Sequence, residues 1–82
     1  MSKDLWQALV NIKWKSGTPS TAWETWKGHA KIKAAWSTLG TWDCMLWVDV
    51  HTPDELEEFV WSNIRKNQWV EATQTHRAKH WF

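Results

Sequence analysis

Between Trp42 and Val50 every second residue avoids water: Trp42, Cys44, Leu46, Val48 and Val50. A period of two places that set on one face of a strand. Met45 and Trp47 then point the other way, beside Asp43 and Asp49. A strand with one wet side carries polar residues there, not a tryptophan. The pattern therefore demands two covers, one for each face.

The rest of the chain shows where the first cover comes from. Leu5 to Trp14 alternates, with Trp6, Ala8, Val10, Ile12 and Trp14 on a dry face and Leu5, Gln7, Leu9, Asn11 and Lys13 opposite. Gly17 and Pro19 break that strand. Thr18–Pro19 and the segment Thr21–Glu24 each fit a helix start, which predicts two to three turns ending at Gly28. Ala22, Trp23 and Trp26 share one side of it. Ile32 to Ser37 and Trp42 to Val50 read as a hairpin, with Gly40 where the chain reverses. Thr52 caps a second helix, Pro53 opens its first turn, and Asp54 and Glu55 lie at its positive end. Its stripe is Leu56, Phe59, Val60 and Ile64, and Asn67 is the predicted stop. A more polar strand closes the chain from Trp69 onward.

The order βαββαβ allows both helices to cover one face of a four-stranded sheet. The fold class is α+β, a ferredoxin-like sandwich. Ala8, Val10, Ile12, Leu46, Val48 and Val50 are expected to meet Leu56, Phe59, Val60 and Ile64. The other face is expected to carry Leu9, Met45 and Trp47 among Gln7, Asn11, Asp43, Thr73 and Thr75. A second copy packed sheet to sheet is the expected cover for it, with Leu9, Met45 and Trp47 as the dimer face.

Composition sharpens that expectation. Ten tryptophans stand in 82 residues, with no tyrosine. At about 150–250 Å² each, they ask for roughly 2,000 Å² of cover. Several indoles must lie open or be met by a second chain. Trp61, Trp69 and Trp81 are expected to be the least covered. So skewed a composition also suggests redesign of a natural parent. A net charge of +1 argues against a surface built for phosphates. The lone Cys44 cannot form an internal disulfide, so a buried thiol and a reducing, cytoplasmic setting are expected. No leader and no membrane span are expected, because no apolar run is long enough.

Three segments, STLGTWDCMLWVDV, TPDELEEFVWSNIRK and VEATQTH, together resemble the effector-binding domain of the Lrp/AsnC, or feast/famine, regulators. Gly40, Trp42 and Asp43 match a Gly-x-aromatic-Asp turn, and Thr73 and Thr75 match a Thr-x-Thr strand. The likeness runs from Leu9 to His76 and implies a single domain over residues 1–82, without the family's helix-turn-helix or direct DNA contact. It further implies a dimeric α/β barrel, higher assembly, and small effectors, usually amino acids, bound between dimers. By motif position the effector residues are Gly40, Thr41 and Asp43, with Thr73 and Thr75. A backbone amide at Gly40 suits a carboxylate and Asp43 suits an ammonium. Trp6, Trp14, Trp23, Trp26, Trp47, Trp61 and Trp81 depart from the family pattern, and their volume threatens the pocket.

Plainer roles compete at each position. Asp43 also suits a turn, and Thr73 and Thr75 are good strand residues. No cofactor is implied. His76 and His80 lie about 13 Å apart along a strand, too far for one metal. The leading function is a non-enzymatic, self-assembling amino-acid sensor. An RNA-binding module shares the element order but would need a segment of the RGFGFV kind. A small monooxygenase or isomerase would use Trp47, Asn11 and His76 in a cavity.

Overall fold

A computed structural model describes residues 6–78. Four strands, β1 (Trp6–Trp14), β2 (Ile32–Ser37), β3 (Cys44–Val50) and β4 (Val70–Ala78), form one sheet in the order β2-β3-β1-β4. All three pairings are antiparallel. This is the ferredoxin-like topology that the element order predicts. Leu5 and Trp81, along with His80, lie outside the described residues.

The barrel is not formed. The sheet is open, with β2 and β4 as its two edges. Closing a sheet requires the edge strands to pair with each other. Here both helical connections lie over one face, and among the described residues the edge strands do not pair.

The helix-side core is the expected one. Ala8, Val10, Ile12, Val48 and Val50 have no exposed area, and Leu46 has almost none. They pack with Leu56, Phe59, Val60, Ile64 and Trp26. Six such strand residues at about 1.5–3 kcal/mol each for the larger ones make this the main source of stability.

Both helices are shorter or looser than their patterns suggest. The first is one 3-10 segment, Ala22–Trp26. Thr21 makes no side-chain cap bond there, and the chain closes i to i+3 bonds such as Glu24 N–H to the Thr21 carbonyl at 3.0 Å. Trp26 is buried while Trp23 is exposed, although both reach the same recess beside Ile32 and Leu46. What holds the segment is tertiary. Trp26 stacks on Trp14 with ring centres 5.4 Å apart, and its Nε1 donates to the Asn63 carbonyl at 2.9 Å.

The second helix, α1 (Pro53–Phe59), runs into a π segment, Val60–Ile64. Arg65 N–H donates five residues back to the Val60 carbonyl at 2.8 Å. Thr52 Oγ accepts from the Glu55 N–H at 3.1 Å, the expected cap. The return half of the capping box goes one residue further back, from the His51 N–H to Glu55 Oε1 at 2.7 Å. Glu55 Oε2 also takes Lys31 Nζ. The Lys31 bond, followed by the His51 N–H, holds the Glu55 carboxyl below its usual value. The helix ends at Ile64 with Arg65 as its cap, short of the predicted stop at Asn67. Asn67 instead joins the turn that follows to the first crossover, donating from Nδ2 to the Ala22 carbonyl at 2.8 Å.

Candidate functional site

The hairpin end of the sheet is built around Asp43. Gly40 takes φ +110°, a backbone state that side chains disfavour, and this lets the Thr38–Asp43 loop turn. Asp43 is then sewn into two neighbours. Its N–H donates to the Ile12 carbonyl at 2.9 Å, and its carbonyl accepts from the Thr38 N–H at 3.0 Å. Its Oδ2 accepts from the Trp14 N–H at 2.9 Å. The pairing of β1 with β3 ends at Ile12 and Cys44, so the carboxylate serves the Trp14 amide beyond that end. The strand itself starts at Cys44, not Trp42, because Asp43 belongs to this junction. The Cys44 thiol is buried, and burial first, then the Asp43 charge, push its pKa up. It is a packing residue.

Beside the junction lies an open recess of about 500 Å³. Asp43, Lys15, Ser37 and the indoles of Trp14 and Trp23 line it, with the turn from Gly17 to Ser20. One anionic and one cationic side chain thus share a recess with aromatic walls. Lys15, Ser37, Trp14 and Trp23 escaped the sequence reading as site residues. The break after β1 marked a loop there, but nothing in the sequence says which distant residues that loop meets.

The uncovered face is the second feature. Leu9 stands opposite Trp47 and Asn11 opposite Met45, on the face away from the helices. Trp36, opposite Met45, joins them, and its ring centre lies 5.9 Å from that of Trp47. From β4, Gln74 and His76 complete the rows beside Asn11 and Leu9. Leu9, Met45 and Trp47 are half-buried and Trp36 is exposed. Trp47 Nε1 and Asp49 Oδ1 are shut off from water and have no hydrogen-bond partner among the described residues. Such orphans are rare in folded chains and call for a physical explanation.

Thr73 and Thr75 are not on this face. They pair with Ile12 and Val10, whose side chains enter the core, so they lie on the helix side. Polarity alone does not assign the faces of β4. An edge strand has polar residues on both faces, and only its register fixes which set turns inward. The two threonines line a groove against α1, while Asp43 lines the hairpin recess. The structure therefore divides the five expected effector residues between separate places. Of the indoles expected to be least covered, Trp61 is 56% exposed, but Trp69 is half-buried. Among the described residues, no three His, Cys, Asp or Glu side chains gather as a metal site. None of the described helices is long and apolar enough to cross a membrane.

The profile of the Lrp/AsnC ligand binding domain matches residues 7–79. The chain belongs to this family. No curated protein matches it by sequence. Solved structures share the Lrp/AsnC fold. FFRP-DM1 superposes with a TM-score of 0.79 at 23% identity, over 89% of this chain and 97% of its own. AsnC of E. coli gives 0.81 at 18% identity, over 92% of this chain and 50% of its own. The feast or famine regulatory protein of M. tuberculosis, solved in complex with L-methionine, gives 0.81 at 22% identity, over 96% of this chain and 53% of its own. The chain thus spans about half the length of the latter two. Membership makes it a ligand-binding domain of the regulator type and not an enzyme, which removes the monooxygenase and RNA-module alternatives.

Proposed function

We propose that the chain is a self-assembling amino-acid sensor, one domain over residues 1–82, that pairs with a second copy through its uncovered sheet face. The observation that carries the pairing is the apolar patch of Trp36, Met45, Trp47 and Leu9 on the face that no helix covers. A second copy removes the apolar patch from water. Further assembly of such pairs is the natural extension, since the exposed Leu39 and Gly40 lie at the hairpin end, away from the pairing face.

The effector is read as a small α-amino acid at the hairpin end. Asp43 offers one carboxylate oxygen beyond the one that Trp14 occupies, and it suits an ammonium. Lys15 suits the carboxylate, and Trp14 and Trp23 suit an apolar side chain. The backbone at Gly40 and Thr41, and the hydroxyls of Thr73 and Thr75, complete the expected set if subunits meet there. The L-methionine complex of the M. tuberculosis relative supports this choice of ligand class. The abundance of tryptophan is read as redesign, on composition alone, and cytoplasmic residence on the single free cysteine.

Calorimetric titration with L-methionine and L-leucine, alongside sedimentation, tests the reading. Binding in the micromolar to millimolar range is expected, with Asp43→Asn weakening it about tenfold or more. Asparagine retains an acceptor for the Trp14 N–H and removes only the charge, so the fold is kept. Absence of binding by both amino acids at about 10 mM, the weak end of specific affinity, would remove the sensor role.

A further inference from the structure

A recess opens on the helix side of the sheet, between the first crossover and the edge strand β2. It holds about 160 Å³. Ile32 and Ala35 stand opposite Val48 and Leu46, whose side chains enter the core, so they face the helix side. They line the recess with Leu46 and the indoles of Trp23 and Trp26. The Trp26 ring is fixed there, by its stack on Trp14 and by its bond to the Asn63 carbonyl. Ala35 is what leaves the room, since a larger side chain at that position would stand in the space.

Two lysines, Lys27 and Lys33, stand at this recess, and no carboxylate lines it. Lys27 Nζ lies 5.8 Å from the centre of the Trp23 ring. The register of β2 against β3 slips between Ile32 and Ala34, which leaves Lys33 as the extra residue. Such a slip re-aims a side chain. Among the described residues the one salt bridge is Lys31–Glu55, so neither Lys27 nor Lys33 is answered by an acid. An apolar lining is thus joined to two unpaired cations.

We infer that this recess binds an aromatic ring with a short anionic arm, a molecule of the aryl-carboxylate class. An apolar cavity of about 150 Å³ is known to take up benzene, so the volume suits one aromatic ring. The ring lies against the indoles, offset or edge-on. Its carboxylate reaches Lys27 and Lys33. Charge decides against other occupants. A free amino acid would bring its ammonium up to two further ammonium groups, which repel it. A neutral hydrocarbon leaves both lysines unanswered. Asp43, Thr73 and Thr75 all lie outside the recess, so the inference does not rest on the effector reading. Trp23 alone is shared with the hairpin recess.

NMR titration of the full chain with phenylacetate, phenylacetamide and L-phenylalanine tests this. Phenylacetate should shift the amides of Gly28, Lys33 and Ala35 and the indole N–H of Trp26, with a Kd on the order of 1 mM for so small a ligand. Phenylacetamide and L-phenylalanine should bind about fivefold more weakly or worse. Lys27→Gln and Lys33→Gln should each weaken phenylacetate about two- to fivefold, and added salt should weaken it in the parent chain. Ala35→Leu fills the recess and should abolish the shifts, whereas Ala35→Ser keeps the space and should retain them. Ala35 is exposed on an edge strand, so both variants should fold. Asp43→Asn should leave these shifts intact while it weakens L-methionine, which separates failure here from failure at the hairpin. Equal affinity for all three ligands, full binding in the double lysine variant, shifts that survive Ala35→Leu, or no shift with phenylacetate would overturn the site. So would shifts that follow protein concentration and not phenylacetate, since a second copy would then occupy the recess.

Discussion

The two faces of this one sheet carry similar apolar material and reach opposite ends of burial. On the helix side, Val10, Ile12, Val48 and Val50 have no exposed area. One residue along each strand, Leu9, Met45 and Trp47 stay half-open, and Trp36 opposite Met45 is 42% exposed. The difference is supply. Two short helical connections furnish one layer, and a chain of this size has no second layer to offer. Stability comes from the first face, and the second is left with attraction that its own chain cannot use.

Breaking the covered face should have the largest effect. Ile64→Ala removes a fully buried side chain where π and sheet meet, and should cost about 3–5 kcal/mol in urea denaturation. The matching change on the open face, Leu9→Ala, should cost under about 1.5 kcal/mol in the single subunit. Equal losses would mean that the faces are not different in kind.

Breaking the open face should instead change association. Met45→Lys places a charge in the middle of the patch, and should shift sedimentation toward the single subunit by tenfold or more in Kd, about 1.4 kcal/mol. Far-ultraviolet circular dichroism should stay unchanged. A variant that still pairs as before would move the interface elsewhere.

Smaller effects sharpen the picture at the helix start. Thr52→Ala removes the acceptor for the Glu55 N–H and should cost about 1 kcal/mol. Glu55 adds a pH signature. Its carboxyl pKa is lowered in the folded chain, by Lys31 first and the His51 N–H next. Stability from this group is therefore present above the unfolded carboxyl value and is lost as pH falls through the folded one. Urea midpoints for Glu55→Gln and the parent chain should differ near neutral pH and converge in acid. A gap that persists at low pH would assign the loss to packing.

Much of the fold was legible because period-two alternation is strong in β1 and β3, where one face is wholly dry. Thr52, Pro53 and Glu55 announced α1 by chemistry that acts within one turn. The first crossover is shorter than its pattern suggests: Trp23 and Trp26 fit a helical stripe, but stacking of Trp26 on Trp14 holds the segment, and that contact is remote in sequence. β4 was assigned to the wrong faces because an edge strand lacks a fully dry side. The same weakness hid the site. Asp43 was visible as a turn residue, whereas its bond to Trp14 and its company with Lys15 depend on how distant strands end. The barrel came from the family likeness, and an open sheet with two free edges contradicts it.

One amide side chain ties the two crossovers together. Asn67 donates to the Ala22 carbonyl, and its own Oδ1 receives the Trp69 N–H at 2.9 Å. Fraying of the loop before β4 therefore tugs on the segment after β1, although more than forty positions separate them. Hydrogen exchange in these two stretches should rise and fall as a unit, like two seams sewn with a single thread.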